Sequence, residues 1–496
     1  MKLESFLLEI LVCPQCRSAL TEGGTEEQPE LLCAGETCGL AYPVRDGIPV
    51  LLVDEARRML DDTLLDDPAA LRRADHDRAL LALAGSGARV RTALRLAEAA
   101  GLDRLRPDGR PRAVLVAGHG SALTAAEMLA ALAGTASLVA PLPPTDAAPV
   151  PRIDRATAPA VFTAGLAWQL PGWAGPLDLL VISSAAGDER GLVALAEQAY
   201  ARGCAIVVTA PESSPLAEAA LQVRALPLPF VPSADTSDAP ADDDRERGRA
   251  TEPDLPAEDP AALWAHLAPL LALTQKLGVT PLPYDALAVT ADLLDATAVR
   301  CRPDAAAYTN PAKSLAARLA GTVPLLWAEG PVAGAAAGRF AAQLAERAGR
   351  PALAGLLPQA LTAHRGMFTG QLGAGADPDD FFRDRVEEPD PLHLQVLLLR
   401  QTAEETSGGP GQAGPGSAGQ GFGGAPEEED GGPAEVPADD ARPRSFGVTR
   451  AHRLAAAHDV RLTEYAGRRP EPLHALVELV ALTDFAAVYL GLAAQS

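Results

Sequence analysis

Four cysteines stand in the first 38 residues as two pairs, Cys13-Pro14-Gln15-Cys16 and Cys33 with Cys38, a spacing that can bring four thiolates around one tetrahedral zinc ion. So small a module has little core, and a structural zinc is the expected staple; four reduced, metal-free thiols are the alternative. Gly118-His119-Gly120-Ser121 precedes a helical run over 122–132. A glycine turn at a helix N-terminus either aims backbone N–H groups at an anion or is a tight turn with no ligand. Ser183-Ser184-Ala185-Ala186-Gly187-Asp188-Glu189-Arg190 ends another apolar run. Its two acids, Asp188 and Glu189, would repel a dianion, and Arg190 offsets them in part. Glu346, in Gln343-Leu344-Ala345-Glu346-Arg347, and His364 are residue types able to move a proton. Their plain alternatives are a solvated helix glutamate paired with Arg350 and an ordinary loop histidine.

The elements that must position these residues read as α/β. Short apolar runs at 113–117, 137–140, 177–183 and 205–209 alternate with Ala-rich stretches of helix length, the pattern of a parallel sheet with helices on both faces. A helix over 75–102 leads into this unit. A helix over 261–277 leads into a second unit with a strand at 323–327 and a helix over 330–346; helices over 444–458 and 473–494 flank a strand at 459–465. In the cysteine module, Arg45-Asp46-Gly47 between apolar residues predicts a hairpin.

The chain has 496 residues and a formal charge of −23. Residues 233–262 hold ten acids and three arginines and residues 403–444 nine acids and two arginines, together −14. Both are rich in Pro and Gly without apolar periodicity, so 233–258 and 406–443 are predicted to be disordered insertions. The acidity argues against nonspecific nucleic-acid binding. The first residues carry Glu4 and Glu9 and do not read as a signal peptide. The run from Leu473 is interrupted by Glu478 and Asp484, so no membrane span is expected. Clustered cysteines fit a reducing cytoplasm.

Two stretches carry family resemblances. Cys-Pro-x-Cys followed by Tyr42-Pro43-Val44-Arg45-Asp46-Gly47-Ile48-Pro49-Val50-Leu51-Leu52 is similar to the small zinc-ribbon-like proteins related to the activator subunit of tRNA and translation-factor methyltransferases, with four residues inside the second cysteine pair where two are usual. Asn310-Pro311-Ala312-Lys313, the apolar strand after it and the helix ending at Glu346 resemble the second half of the bifunctional phosphoglucose/phosphomannose isomerases, which are pairs of sugar-isomerase (SIS) domains.

The resemblance implies two SIS domains, parallel sheets flanked by helices, preceded by the zinc-ribbon-like β module. The divisions are a module at 1–58, a first SIS domain at 59–232, the acidic insertion 233–262, a second SIS domain at 263–402, the linker 403–444 and a C-terminal part at 445–496. It implies a homodimer that isomerises hexose 6-phosphates, with no cofactor for catalysis. Gly118, Gly120, Ser121, Ser183, Ser184, Gly187 and Arg190 would bind substrate, Glu346 would be the base and His364 would open the sugar ring. Cys13, Cys16, Cys33 and Cys38 would hold the zinc, and a methyltransferase is the implied partner of that module. The chain departs from the isomerase pattern at Ser121, one place early; at Ala185 and Asp188; at Pro260, where the family has an arginine; and in having no lysine after Lys313. Weak isomerase activity is therefore expected. A noncatalytic sugar-phosphate sensor and an adaptor acting through the zinc module are the alternatives.

Overall fold

The computed structural model describes residues 11–14, 19–24, 29–33, 40–45, 48–51, 57–58, 62–104, 109–146, 150–151, 162–163, 166–232, 258–369, 393–401, 433–436 and 444–494. Cys16, Cys38 and most of the two predicted insertions lie outside them.

In the N-terminal module three antiparallel strands, β1 (Leu20–Gly24), β2 (Pro29–Cys33) and β3 (Leu40–Arg45), place Leu20 opposite Cys33 and Leu31 opposite Tyr42. Arg45 pairs with Ile48, the register that the hairpin signal predicts. Cys13, Leu20, Leu31, Cys33 and Tyr42 form a small core of their own.

The first α/β unit follows helix α1 (Ser86–Ala99), a shorter element than the sequence predicts because Gly85 separates it from a preceding turn of helix. Strand β4 (Ala113–Ala117), helix α2 (Gly120–Ala133), strands β5 (Leu138–Leu142) and β6 (Leu179–Ser183), helix α3 (Arg190–Ala201), strand β7 (Ala205–Ala210), helix α4 (Pro215–Gln222) and strand β8 (Leu226–Pro229) complete it. The sheet order is β8-β7-β6-β4-β5, every neighbour parallel. Both faces are covered, as a parallel sheet requires: Val114, Val116, Val181 and Val207 enter one core and Leu115, Ile182, Ile206 and Val208 the other.

Helix α5 (Ala262–Lys276) corrects the expected boundary at 262. It packs on α1 and α2, so it covers the first sheet instead of opening the second unit, and the described residues include Glu258 to Ala261 of the predicted insertion. The reason is burial: Leu263, Trp264, Leu267, Leu270 and Leu271 are all inside.

Helix α6 (Ala286–Arg300) and helix α7 (Pro311–Leu319) lead to strand β9 (Thr322–Glu329), helix α8 (Pro331–Ala348), strand β10 (Leu353–Leu356) and helix α9 (Gln359–Ala363). Asn310 starts α7 as the sequence predicts, its side chain accepting from the N–H groups of Ala312 and Lys313. The chain's last lysine is structural: buried Lys313 donates its Nζ to the carbonyls of Leu65, Pro303 and Ala305. Strand β11 (His393–Arg400), helix α10 (Phe446–Ala457), strand β12 (Arg461–Ala466) and helix α11 (Pro472–Ala494) finish the unit, with sheet order β10-β9-β11-β12 in parallel. Ala434–Glu435 adds an antiparallel strand on the free edge of β12, and Val436 is buried beside it. This stretch of the predicted low-complexity linker is thus part of the sheet, because an open strand edge offers backbone partners to any extended tripeptide.

Helix α11 is long and apolar enough to cross a membrane by length and composition, yet its apolar window is wholly buried against α6, α7 and α8. Asp484 on α11 accepts both Nε (2.9 and 3.0 Å) and Nη2 (2.8 Å) of Arg339 on α8, with side chains 1% and 3% exposed. The second nitrogen also donates to the carbonyl of Pro260 at 3.0 Å. Arg339→Ala leaves a buried carboxylate unpaired and should cost about 3–5 kcal/mol of stability in urea unfolding. A loss below about 1 kcal/mol would show that Asp484 is neutral or solvated in solution.

Candidate functional site

The carboxyl edge of the first sheet carries two turns that face one another. At the first, β4 ends in Gly118-His119 and α2 begins at Gly120, where φ is +53°, a conformation glycine adopts without strain. The turn is not empty of anions. The Glu258 carboxylate lies on it, Oε2 accepting from the backbone N–H (2.8 Å) and the hydroxyl (2.5 Å) of Ser121. Oε1 lies so near Gly120 that a Cβ there would meet it at 1.8 Å.

At the second turn, after β6, Ser184 Oγ donates to Glu189 (2.7–2.8 Å) and accepts the Gly187 N–H at 2.7 Å. The two turns meet through His119, whose Nε2 lies 2.8 Å from Glu189 Oε1. Ser183 is fully buried and bonds His266 Nδ1 of α5 at 2.8 Å, while Phe230 stacks on that ring. Burial pushes His266 down to about 3, so it is a neutral partner. Asp188 and Arg190 are exposed, and Arg190 is the first residue of α3. The repulsion expected from Glu189 is resolved locally, since its charge is absorbed by His119 and Ser184.

Glu346 belongs to this neighbourhood. It lies in the last turn of α8, which packs on α2, and its side chain is 41% exposed. It pairs with Arg347 at 3.1 Å and accepts from Gln343 Nε2 at 3.2 Å, in place of the expected Arg350. Arg347 in turn donates to the Glu258 carbonyl at 2.5 Å, so Ser121, Glu258, Arg347 and Glu346 form one connected series.

His364 does not join it. It lies on the opposite face of the second sheet from α8, where its Nδ1 accepts Trp327 Nε1 at 3.0 Å beside Phe368. Trp327 faces that side while Leu326 and Ala328 face α8. Burial holds His364 below the usual histidine range. Within one chain, Glu346 and His364 are thus on different faces of a sheet.

Sequence reading missed Glu258, Glu189 as a ligand of its own turn, His119 and His266. Their contacts span 70 to 137 positions, or join a turn to itself, and no local pattern marks them. The signal that existed for Glu258 was its place three residues before the apolar run beginning at Ala261.

Residues 308–407 match the family described as bacterial phospho-glucose isomerase C-terminal SIS domain, and residues 4–47 match Trm112p-like protein. Residues 308–407 thus carry a bacterial phosphoglucose isomerase C-terminal SIS domain, and the N-terminal segment is a Trm112p-like module. Over 64 residues, 13% of this chain, it is 48% identical to a UPF0434 protein of Paraburkholderia phymatum and 50% identical to one of Burkholderia multivorans, covering 90% and 94% of them. Among solved structures it is similar to a glucose-6-phosphate isomerase like protein from Thermus thermophilus, at TM-score 0.36 and 16% identity, covering 81% of this chain and 88% of the other. It is also similar to the tagatose-6-phosphate ketose/aldose isomerase from Escherichia coli, at TM-score 0.42 and 11% identity, covering 86% and 95%.

The His119–Glu189 pair gives this SIS protein a pH signature. The bond to Glu189 raises His119 above its ordinary 6.5 against burial, and burial of Glu189 is outweighed by His119 and Ser184, which hold it below its ordinary 4.5. The histidine's contribution is complete below its unfolded value and is lost as pH rises through its folded one; the glutamate's is present above its unfolded value and is lost as pH falls through its folded one. His119→Gln should therefore lower the melting temperature most at about pH 5.5 and least at about pH 9. Equal losses at both would show that the pair is not ionised.

Proposed function

We propose that the chain binds a hexose 6-phosphate at the first-unit turns and is a slow aldose–ketose isomerase. The observation that carries this reading is that the Gly118–Ser121 turn already holds an anion, through a backbone N–H and a hydroxyl at the N-terminus of a 14-residue helix. Gly187 and Ser184 lie on the second turn, which the His119–Glu189 pair joins to the first, and Arg190 is exposed at the start of α3.

Isomerisation through a cis-enediol moves one proton between adjacent carbons and needs a base close to them. Glu346 is the candidate, since it is partly exposed and reaches the cradle through Arg347. Ring opening by His364 would need a second copy of the chain, in keeping with a homodimer. Electrophilic help is poor because Pro260 stands where the family has an arginine and no lysine follows Lys313. Two such losses cost about 5 kcal/mol of transition-state stabilisation, on the order of a thousandfold in rate.

In a coupled assay for fructose 6-phosphate the purified chain should turn over far below about 10 per second. Glu346→Gln should abolish the residue of activity and leave the affinity for sugar phosphate unchanged, because the base acts on the reacting carbon. Turnover at ordinary rates would overturn the slow-isomerase reading, and a silent thermal-shift screen of sugar phosphates would favour the adaptor reading.

The Trm112p-like module supports a second role, association with a methyltransferase in the cytoplasm. The described thiols, Cys13 and Cys33, fit a zinc site in chemistry and placement: both are buried in the same small core, and neither is in a disulfide. Cys13 Sγ lies 3.1 Å from the Tyr42 hydroxyl, a partner that steadies a thiolate. Elemental analysis should find about one zinc per chain, falling in Cys16→Ser. Metal-free protein after reducing purification would sink the zinc site.

A further inference from the structure

Glu258 sits where the ligand's anion would sit. Its carboxylate holds both donors of Ser121 and covers Gly120, leaving no room for a phosphate on the same groups. Three arginines hold the segment that delivers it: Arg347 binds the Glu258 carbonyl, Arg89 pairs with the Asp259 carboxylate, and Arg339 binds the Pro260 carbonyl while locked to Asp484. The segment is therefore placed by side chains from α1 and α8, and its carboxylate reaches the turn preorganised. A phosphate arriving beside an undisplaced Glu258 would meet its like charge at the same donors.

We propose that Glu258 is a built-in competitor for the anion cradle. The resting protein occupies its own site, and a phosphate group binds only as the Glu258 carboxylate leaves the Ser121 N–H and hydroxyl. This rests on the reading of the turn as a sugar-phosphate site. The apparent affinity is then reduced by the fraction of molecules in which the cradle is free.

Isothermal titration with fructose 6-phosphate and with inorganic phosphate, on the full chain and on Glu258→Ala and Glu258→Gln, tests it. Both ligands should bind about tenfold or more tightly to Glu258→Ala. Glu258→Gln should fall between, because the amide keeps an acceptor but loses the charge; it also carries the test if the alanine variant does not fold. Equal or weaker binding by the variants overturns the competitor while the sugar-phosphate site stands. Absence of binding by all three chains overturns both, since a cradle freed of its carboxylate must at least take phosphate.

Discussion

The buried pair between Arg339 and Asp484 is the constraint on which the rest of the molecule turns. Neither group survives alone in that interior: burial raises the Asp484 carboxyl, and the guanidinium opposes this with three short hydrogen bonds. The pair fixes α8 against α11 in one register. A second N–H of Arg339 Nη2 is aimed at the Pro260 carbonyl, so the same group that orders the second unit also ends the segment lying over the first unit's cradle.

That linkage is possible because the two sheets share the core between them, each keeping another on its far face. One apolar layer runs from Val114 and Val181 of the first sheet, through α2, α5 and α8, to Leu326 and Leu397 of the second. Helix α11 is apolar on every side and must be surrounded. It buries Leu476, Val480 and Val488 among α6, α7 and α8, and only Gly491 lets its end approach the Arg347 carbonyl, where a Cβ would meet the oxygen at 2.2 Å. Glu346 and Arg347 are thereby held at the junction of the two units, which is why a base in the second half can face a turn in the first.

The alternation of short apolar runs with Ala-rich helices made the first sheet legible, and the Asn-Pro cap made α7 so, because these signals are local. Strand β11 escaped notice although it sits in the middle of the second sheet and Pro389-Asp390-Pro391 precedes it: Val396-Leu397-Leu398-Leu399 is an apolar run of a length that does not declare a period. Gly120 and Ser121 were readable as a turn. Its occupant was not, since Glu258 belongs by composition to an acidic stretch that reads as solvated, and only the long-range arginine contacts draw it inward.

The disposition of positive charge argues that the cradle is built for holding more than for accelerating. An enediolate needs a cation free to meet charge that appears only in the transition state. Here Arg339 is committed to Asp484 and Pro260, Arg89 to Asp259, and Arg347 to Glu346 and the Glu258 carbonyl. Each is oriented by its ground-state partners, so moving one toward a reacting oxygen breaks a contact that the fold uses. The Ser121 hydroxyl and backbone N–H carry no such commitment beyond a carboxylate that can leave. What is left at the turns therefore favours recognition of an anion over stabilisation of a transient one.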